Sequence, residues 1–180
     1  MEELYFVTGN KSKYNEVKEI FGKEIERLDL NLDEVQSGDI YEISREKARK
    51  AYEISGRTVV VEDIGFYLEC LNKFPGPLIK FFISSIGIDG IYSLVKKYKD
   101  NTAIVRCVVC YFDGKEFHFF TGDLRGKVVS PKGKNNFGFD PIFQPDKSKK
   151  TLAEMKKEEK NEISHRAIAW NKFKEFLDKK

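Results

Sequence analysis

An α/β fold built on a mixed sheet is what this sequence predicts, and three features predict it. Short apolar runs alternate with helical periodicity through the first third of the chain, the pattern of strands linked by helices. Residues 58–61 form an uninterrupted β-branched run, the mark of a strand buried on both faces. Asp113-Gly114 stands between two apolar runs and marks a hairpin, so antiparallel pairing joins the pattern.

The elements follow in order. Residues 4–8 read as a short apolar strand. Asn10 can cap the helix after it, whose Tyr14, Val17 and Phe21 share one face. Leu28, Leu30 and Leu32 alternate and predict a second strand. Ser44 is read as the start of a helix that turns Ala48, Ala51 and Tyr52 inward, and residues 58–61 form the next strand. Residues 72–77 make a Pro/Gly turn, followed by helical segments at 79–83 and at Ile91, Leu94, Val95 and Tyr98. The run 102–112 is a strand that returns through the hairpin at 115–121, and Val128-Val129 suggests one more. Residues 130–138 are a basic, Gly-rich loop, and Thr151 with Glu154 fits a capping box. Ser164 opens the last helix, with Ala169, Trp170, Phe173, Phe176 and Leu177 toward the core. No repeat, low-complexity stretch or linker interrupts the chain, so residues 1–180 are read as one domain.

Bulk properties narrow the function. With 180 residues, 41% apolar and 34% charged, the chain can bury a full core and is no disordered polymer. A formal net charge of +3 is too small to argue for nucleic acid by itself. No stretch is long and apolar enough to span a bilayer, and the start lacks a signal peptide's basic flank and apolar core. Three cysteines are too few and odd in number for a disulfide framework, so a reducing cytoplasm is the expected compartment. Cys107 and Cys110 fall three apart in a strand and point to opposite faces, which excludes a shared metal or disulfide.

Four places carry candidate chemistry. Thr8, Gly9, Asn10, Lys11, Ser12 and Lys13 join the first strand to the first helix, where free N–H groups and the helix dipole suit a phosphate. The plain alternative there is a tight connection with solvated lysines. Neither a Walker loop nor a G-x-G-x-x-G pattern occurs. Glu62-Asp63 follows the run 58–61 and is read as the carboxyl end of a central strand, where open sheets bind ligands and paired carboxylates suit Mg²⁺. Phe137, Gly138, Phe139 and Asp140 offer a stacking surface for a base with an acceptor beside it, or else a bulge that packs two rings into the core. Lys160 stands just before Ser164-His165-Arg166, and His165 and Arg166 fall in the first turn of the last helix, where the dipole disfavours positive charge. Breaking a local rule points to a ligand acceptor. Pairing of Arg166 with Glu162 stays open beside it. His118, mid-strand, reads as a packing residue.

Together these pieces resemble the inosine triphosphate pyrophosphatase family, also called the Ham1 or non-standard purine NTP pyrophosphatase family. The resemblance rests on Thr8-Gly9-Asn10-Lys11-Ser12-Lys13, Val61-Glu62-Asp63, Phe137-Gly138-Phe139-Asp140-Pro141 and Ser164-His165-Arg166, which occur in family order. Residues 75–80, 153–155 and 159–161 agree as well, so nearly the whole chain is covered. The resemblance implies an elongated mixed sheet with flanking helices, forming two lobes around a nucleotide cleft, usually in a homodimer. It implies Mg²⁺-dependent hydrolysis of ITP, dITP or XTP between the α and β phosphates, giving a nucleoside monophosphate and pyrophosphate. In those terms Asp63 matches the general base and a metal ligand, and Glu34 a second metal contact. Thr8 through Lys13, with Lys47 and Lys80, match triphosphate contacts, and Phe137 through Asp140, Lys160, His165 and Arg166 match the base pocket. Ile64 stands where many relatives carry Ser or Thr, so only its backbone can serve a substrate.

The residues suit that chemistry. Hydrolysis of a triphosphate needs charge neutralisation and an aligned water more than covalent catalysis. Lysines 13, 47 and 80 would spread the negative charge, and donors aimed at O6 would tell a 6-oxo purine from adenine. A competing expectation is a nucleic-acid-binding module using the basic loop at 132–134, but it leaves Glu62-Asp63 unexplained. On the favoured reading neither membrane nor nucleic acid is a partner.

Overall fold

The computed structural model describes residues 3–134 and 137–180. In chain order the strands are β1 (Tyr5–Val7), β2 (Glu26–Leu28), β3 (Val59–Leu68), β4 (Pro75–Gly76), β5 (Thr102–Phe112), β6 (Phe117–Val128) and β7 (Phe143–Pro145). The helices are α1 (Lys11–Phe21), α2 (Ile40–Ser55), α3 (Ile79–Tyr98), α4 (Lys157–Ile163) and α5 (His165–Lys179). All seven strands share one sheet in the order β2-β1-β3-β5-β6-β7, with β4 paired to β3. β1 runs parallel to β2 and β3, while every other pairing is antiparallel, so the sheet is mixed.

Two long strands, β3 and β5, carry the architecture because each passes through more than one apolar cluster. Near the start of β3, Val60 packs with Cys107, Val109, Trp170 and Phe173 beneath α1 and α5. On the opposite face Val59, Val61, Cys110 and Phe112 pack against Ala48 and Ala51 of α2. The two cysteines therefore do lie on opposite faces, and all three are free. Farther along, Phe66 and Leu68 join Ala103, Val105, Ile79, Ile91, Phe139 and Phe143 in another cluster. Ile64 touches the first and the last of these clusters, so β3 crosses from one lobe to the other at residues 62–64.

Several boundaries differ from the sequence reading, each for a physical reason. β3 does not stop at Val61; it continues to Leu68, so Glu62 and Asp63 are mid-strand and face opposite sides of the sheet. What ends beside them is β1, whose pairing with β3 stops at Val60. Leu30 and Leu32 lie outside β2 and pack as loop residues against the α2-side cluster. α2 begins four residues before Ser44, at Ile40, with Asp39 as its cap. Residues 128–129 are not a separate strand, because Val128 ends the long β6. The Thr151 amide does bond the Glu154 carboxylate at 2.8 Å, but in a turn; α4 starts later, at Lys157. The caps read for α1 and α5 are present, Asn10 accepting from the Lys13 amide and Ser164 from the Ala167 amide. The two helical segments read at 79–83 and 91–98 belong to α3, which breaks at Gly87 with φ 67°. His118 packs on Phe176, with ring centroids 4.7 Å apart. Among the described residues no helix is long and apolar enough to cross a membrane.

Candidate active site

A cleft of about 570 Å³ opens where β3 crosses between the lobes, within the usual size of small-molecule sites. It gathers residues distant in sequence: Thr8, Gly9, Asn10 and Lys13 from the β1–α1 junction, Glu34, Lys47, Asp63, Ile64 and Lys80, then Phe137 to Asp140, Lys160, His165 and Arg166. Two expected residues, Lys11 and Ser12, have exposed side chains that do not line it; they bring only helix-start N–H groups. Lys132 and Lys134 are exposed and also lie off the cleft, while residues 135 and 136 of that loop lie outside the described residues.

At one end the geometry suits phosphate. The Asn10 side chain caps α1 and its own amide bonds Thr8 Oγ1 at 3.1 Å, which fixes the junction. Lys47 Nζ bridges two carboxylates, 2.5 Å from Asp63 Oδ1 and 2.7 Å from Glu34 Oε1. Burial opposes charge on this lysine, yet the two acids raise its pKa above the ordinary value. Burial likewise opposes ionisation of Glu34, and Lys47, Lys13 and Lys80 together bring its pKa below the usual range. All three lysines line the same cleft as Glu34, and Lys47 is the one in contact with it. Ser44 donates to Asp63 Oδ2 at 2.9 Å, so the carboxylate is held through both oxygens while each keeps a second lone pair. Ser44, read as a helix start, is in fact a positioning group for Asp63.

Mg²⁺ takes hard oxygen ligands and usually completes its shell with water and substrate phosphate. Two carboxylates joined through one ammonium, with lysines around them, fit such a partial donor set. Among the described residues no group of three or more His, Cys, Asp or Glu side chains could hold an ion alone. Water and phosphate oxygens would have to complete the shell.

The other end is a buried polar wall. Asp140 accepts from Lys160 Nζ at 2.7 Å, and burial pushes its pKa up against the pull of that lysine. The aromatic pair divides, because Gly138 takes φ 57° and turns the chain between them. Phe139 packs on Phe66, centroids 4.8 Å apart, whereas Phe137 stays 38% exposed with Lys160 Nζ 5.7 Å from its ring. Only Phe137 therefore presents a face for stacking. His165 is buried, and burial, reinforced by Arg166, lowers its pKa to about 3, so the ring is neutral. Its Nδ1 has no partner among the described residues.

Arg166 corrects the helix-dipole argument. Its charge at the α5 start is met by protein carboxylates: Nη2 lies 2.8 Å from Glu62 Oε1, Nε 3.0 Å from Oε2, and Nη1 2.6 Å from Glu16 Oε2. Glu162 is not its partner. One N–H on each nitrogen is so engaged, which leaves two of the guanidinium's five for a ligand. Glu16 was invisible to sequence reasoning, since it sits in α1 and its partner is 150 residues away. Glu62 was legible as an acid beside Asp63, but not as the partner of Arg166.

α5 reaches this position because β6 lets it. A Cβ on Gly122 would lie 2.1 Å from the His165 carbonyl oxygen and 2.7 Å from the Ala169 nitrogen. The missing side chain is what allows the first turn of α5 to lie against the strand.

Comparison with known proteins shows the family. The model of the Ham1 family matches residues 4–176. A Schizosaccharomyces pombe protein named inosine triphosphate pyrophosphatase is 42% identical over 182 residues, covering 99% of this chain and 96% of its own. A Saccharolobus solfataricus protein named dITP/XTP pyrophosphatase is 43% identical over 176 residues, covering 96% of this chain and 92% of its own. The structure of a HAM1 protein from Coxiella burnetii superposes with a TM-score of 0.89 at 26% identity, covering 100% of both chains. On its motifs, its fold and its near-full-length match to this model, the chain belongs to the Ham1 family.

Proposed function

We propose that this chain hydrolyses purine nucleoside triphosphates carrying a non-standard 6-oxo base, such as ITP, dITP and XTP, to the monophosphate and pyrophosphate. One observation carries the reading: a phosphate-type end and a base-type end line the same cleft, with Asp63 on the strand beneath it. The names borne by relatives at about 40% identity support the substrate class.

In this reading the triphosphate lies against the α1 N-terminus, where N–H groups and Lys13 meet its charge. Lys47 and Lys80 neutralise the remainder. Asp63, oriented by Ser44 and Lys47, takes the proton of the attacking water at a carboxylate oxygen. Mg²⁺, held by Glu34 and Asp63, would supply Lewis-acid polarisation of the phosphate oxygens. Ile64 gives its side chain to the apolar clusters, which leaves its backbone to the substrate. At the far end Phe137 offers a stacking face, and Arg166, Lys160 and His165 offer donors to a 6-oxo group. Adenine presents an amino group there and leaves those donors unmatched.

A homodimer fits the exposed apolar side chains Phe74, Phe81 and Ile86 along β4 and α3, which are 47%, 56% and 42% exposed. A cytoplasmic location suits the three free cysteines. Release of pyrophosphate from ITP and from ATP, with and without Mg²⁺, tests the function. ITP turnover that needs Mg²⁺ and exceeds ATP turnover supports it. Equal turnover of both, or none, contradicts it.

A further inference from the structure

Adjacent acids on a strand cannot serve one site from one face, and Glu62 and Asp63 are such a pair. Asp63 belongs to the side of α2, bound by Ser44 and Lys47. Glu62 belongs to the side of α1 and α5, and its side chain has no exposed surface at all. Besides Arg166, two groups meet its carboxylate. Lys13 Nζ lies 3.3 Å from Oε1, and the Trp170 indole N–H donates to Oε2 at 2.8 Å. Lys13 also donates to the Glu62 carbonyl at 3.3 Å.

The carboxylate is the second member of an alternating chain of charges. It runs from Lys13 at the phosphate end to Glu62, then Arg166, Glu16, Lys160 and Asp140 at the base end. The links are 3.3, 2.8, 2.6, 3.8 and 2.7 Å. Positive and negative groups alternate without a break, so no member is an isolated buried charge. Both ends of the cleft thus hang on one buried carboxylate. Lys13 reaches the phosphates, Arg166 reaches the base, and Glu62 fixes the two relative to each other. A bidentate grip through Nε and Nη2 sets the plane of the guanidinium and so decides where its two spare N–H groups point.

We infer that Glu62 is a positioning residue for base selectivity, acting through Arg166 and registering it against Lys13, and that it takes no part in metal binding or proton transfer. The two acids then divide the work by face, Asp63 to the reaction and Glu62 to recognition. This rests on the proposed function, so wild-type preference for ITP over ATP must be measured first; its absence would sink that function, not this assignment.

The test is a double-variant cycle on the whole chain with Glu62→Gln, Arg166→Gln and both together. In the otherwise wild-type chain Glu62→Gln should lower the ITP-to-ATP ratio of kcat/KM about tenfold or more. In the Arg166→Gln background the same change should alter the ratio by less than about twofold, because its intermediary is gone. The Mg²⁺ concentration for half-maximal rate should move by no more than about twofold, unlike a metal ligand's variant. The conservative Glu62→Asp keeps the charge with a shorter reach and should recover part of the ratio. If Glu62→Gln does not fold, the Glu62→Asp variant and the charge-neutral double variant carry the test. An intact ratio in Glu62→Asp together with a double variant less selective than Arg166→Gln alone then overturns it. So does a ratio untouched by Glu62→Gln, an equal loss in both backgrounds, or a raised Mg²⁺ requirement.

Discussion

Asp63 and His165 show at the residue scale how the cleft is tuned by its surroundings. Asp63 receives Ser44 on one oxygen and Lys47 on the other. Replacing it with Asn keeps the volume and leaves Lys47 paired with Glu34. ITP turnover should fall about 100-fold or more, the range a general base supplies, with the thermal midpoint little changed. A variant keeping a tenth of the wild-type rate would mean another group activates the water. His165 titrates at about 3 in the folded chain, against an ordinary value of 6.5. Between those values the unfolded chain binds the extra proton, so stability rises with pH through the window and is lost as pH falls. From pH 6.5 to 5 that amounts to roughly 1–2 kcal/mol. Asp140, whose pKa is raised, works in the opposite direction at the acid side of this range. Denaturant titrations at the two pH values should show the loss in the wild type and its disappearance in His165→Gln. An equal loss in both would assign the effect elsewhere. The capped β1–α1 junction, the acid pair on the central strand and the Ser164 cap were legible in the sequence because each is a local pattern. Glu16 and Ser44 were not, for an acid or a serine on a helix takes its meaning from partners that only the fold brings near.

At the scale of elements, the two strands read as ending too early, β3 and β6, share one cause. Polar residues and glycines look like breaks, yet here they are sheltered inside long strands. Glu62 interrupts an apolar run, but Arg166, Lys13 and Trp170 compensate it, and β3 continues to Leu68. Asp123 interrupts the return strand, but Arg106 on β5 grips it with two bonds of 2.7 Å, and β6 continues to Val128. Gly122 looks like a strand ending and is the seat of α5. Gly122→Ala should lower stability by about 1–3 kcal/mol, the usual cost of overpacking. It should also lower kcat/KM for ITP, since the displaced first turn carries His165 and Arg166. Urea denaturation and steady-state kinetics read the two effects. Wild-type stability in that variant would contradict the close approach of helix to strand. Of the helix starts read from the sequence, Asn10 and Ser164 are in place, each acting on an amide three residues away, whereas Ser44 lies inside α2 and Thr151 lies in a turn before α4.

Across the whole molecule, the α/β class and the mixed sheet followed from alternation and the hairpin, while the position of the cleft did not. It depends on β3 and β5 passing from one apolar cluster to another, a property of register that no short pattern carries. Because the site draws on α1, α2, β3, α3 and α5 together, a bound nucleotide should stabilise the whole fold. With Asp63→Asn to prevent turnover, ITP at about 100 times its Kd should add about 2.7 kcal/mol to unfolding. The measurement is the denaturation midpoint with ITP and with ATP at equal concentration, and no difference between them would mean the base end reads nothing. The most direct test of the central claim is the identity of the products. Wild-type chain incubated with ITP and Mg²⁺ should give inosine monophosphate and pyrophosphate in equal amounts from the first turnover onward. Release of inosine diphosphate and inorganic phosphate would place cleavage at the wrong bond and contradict the pyrophosphatase reading.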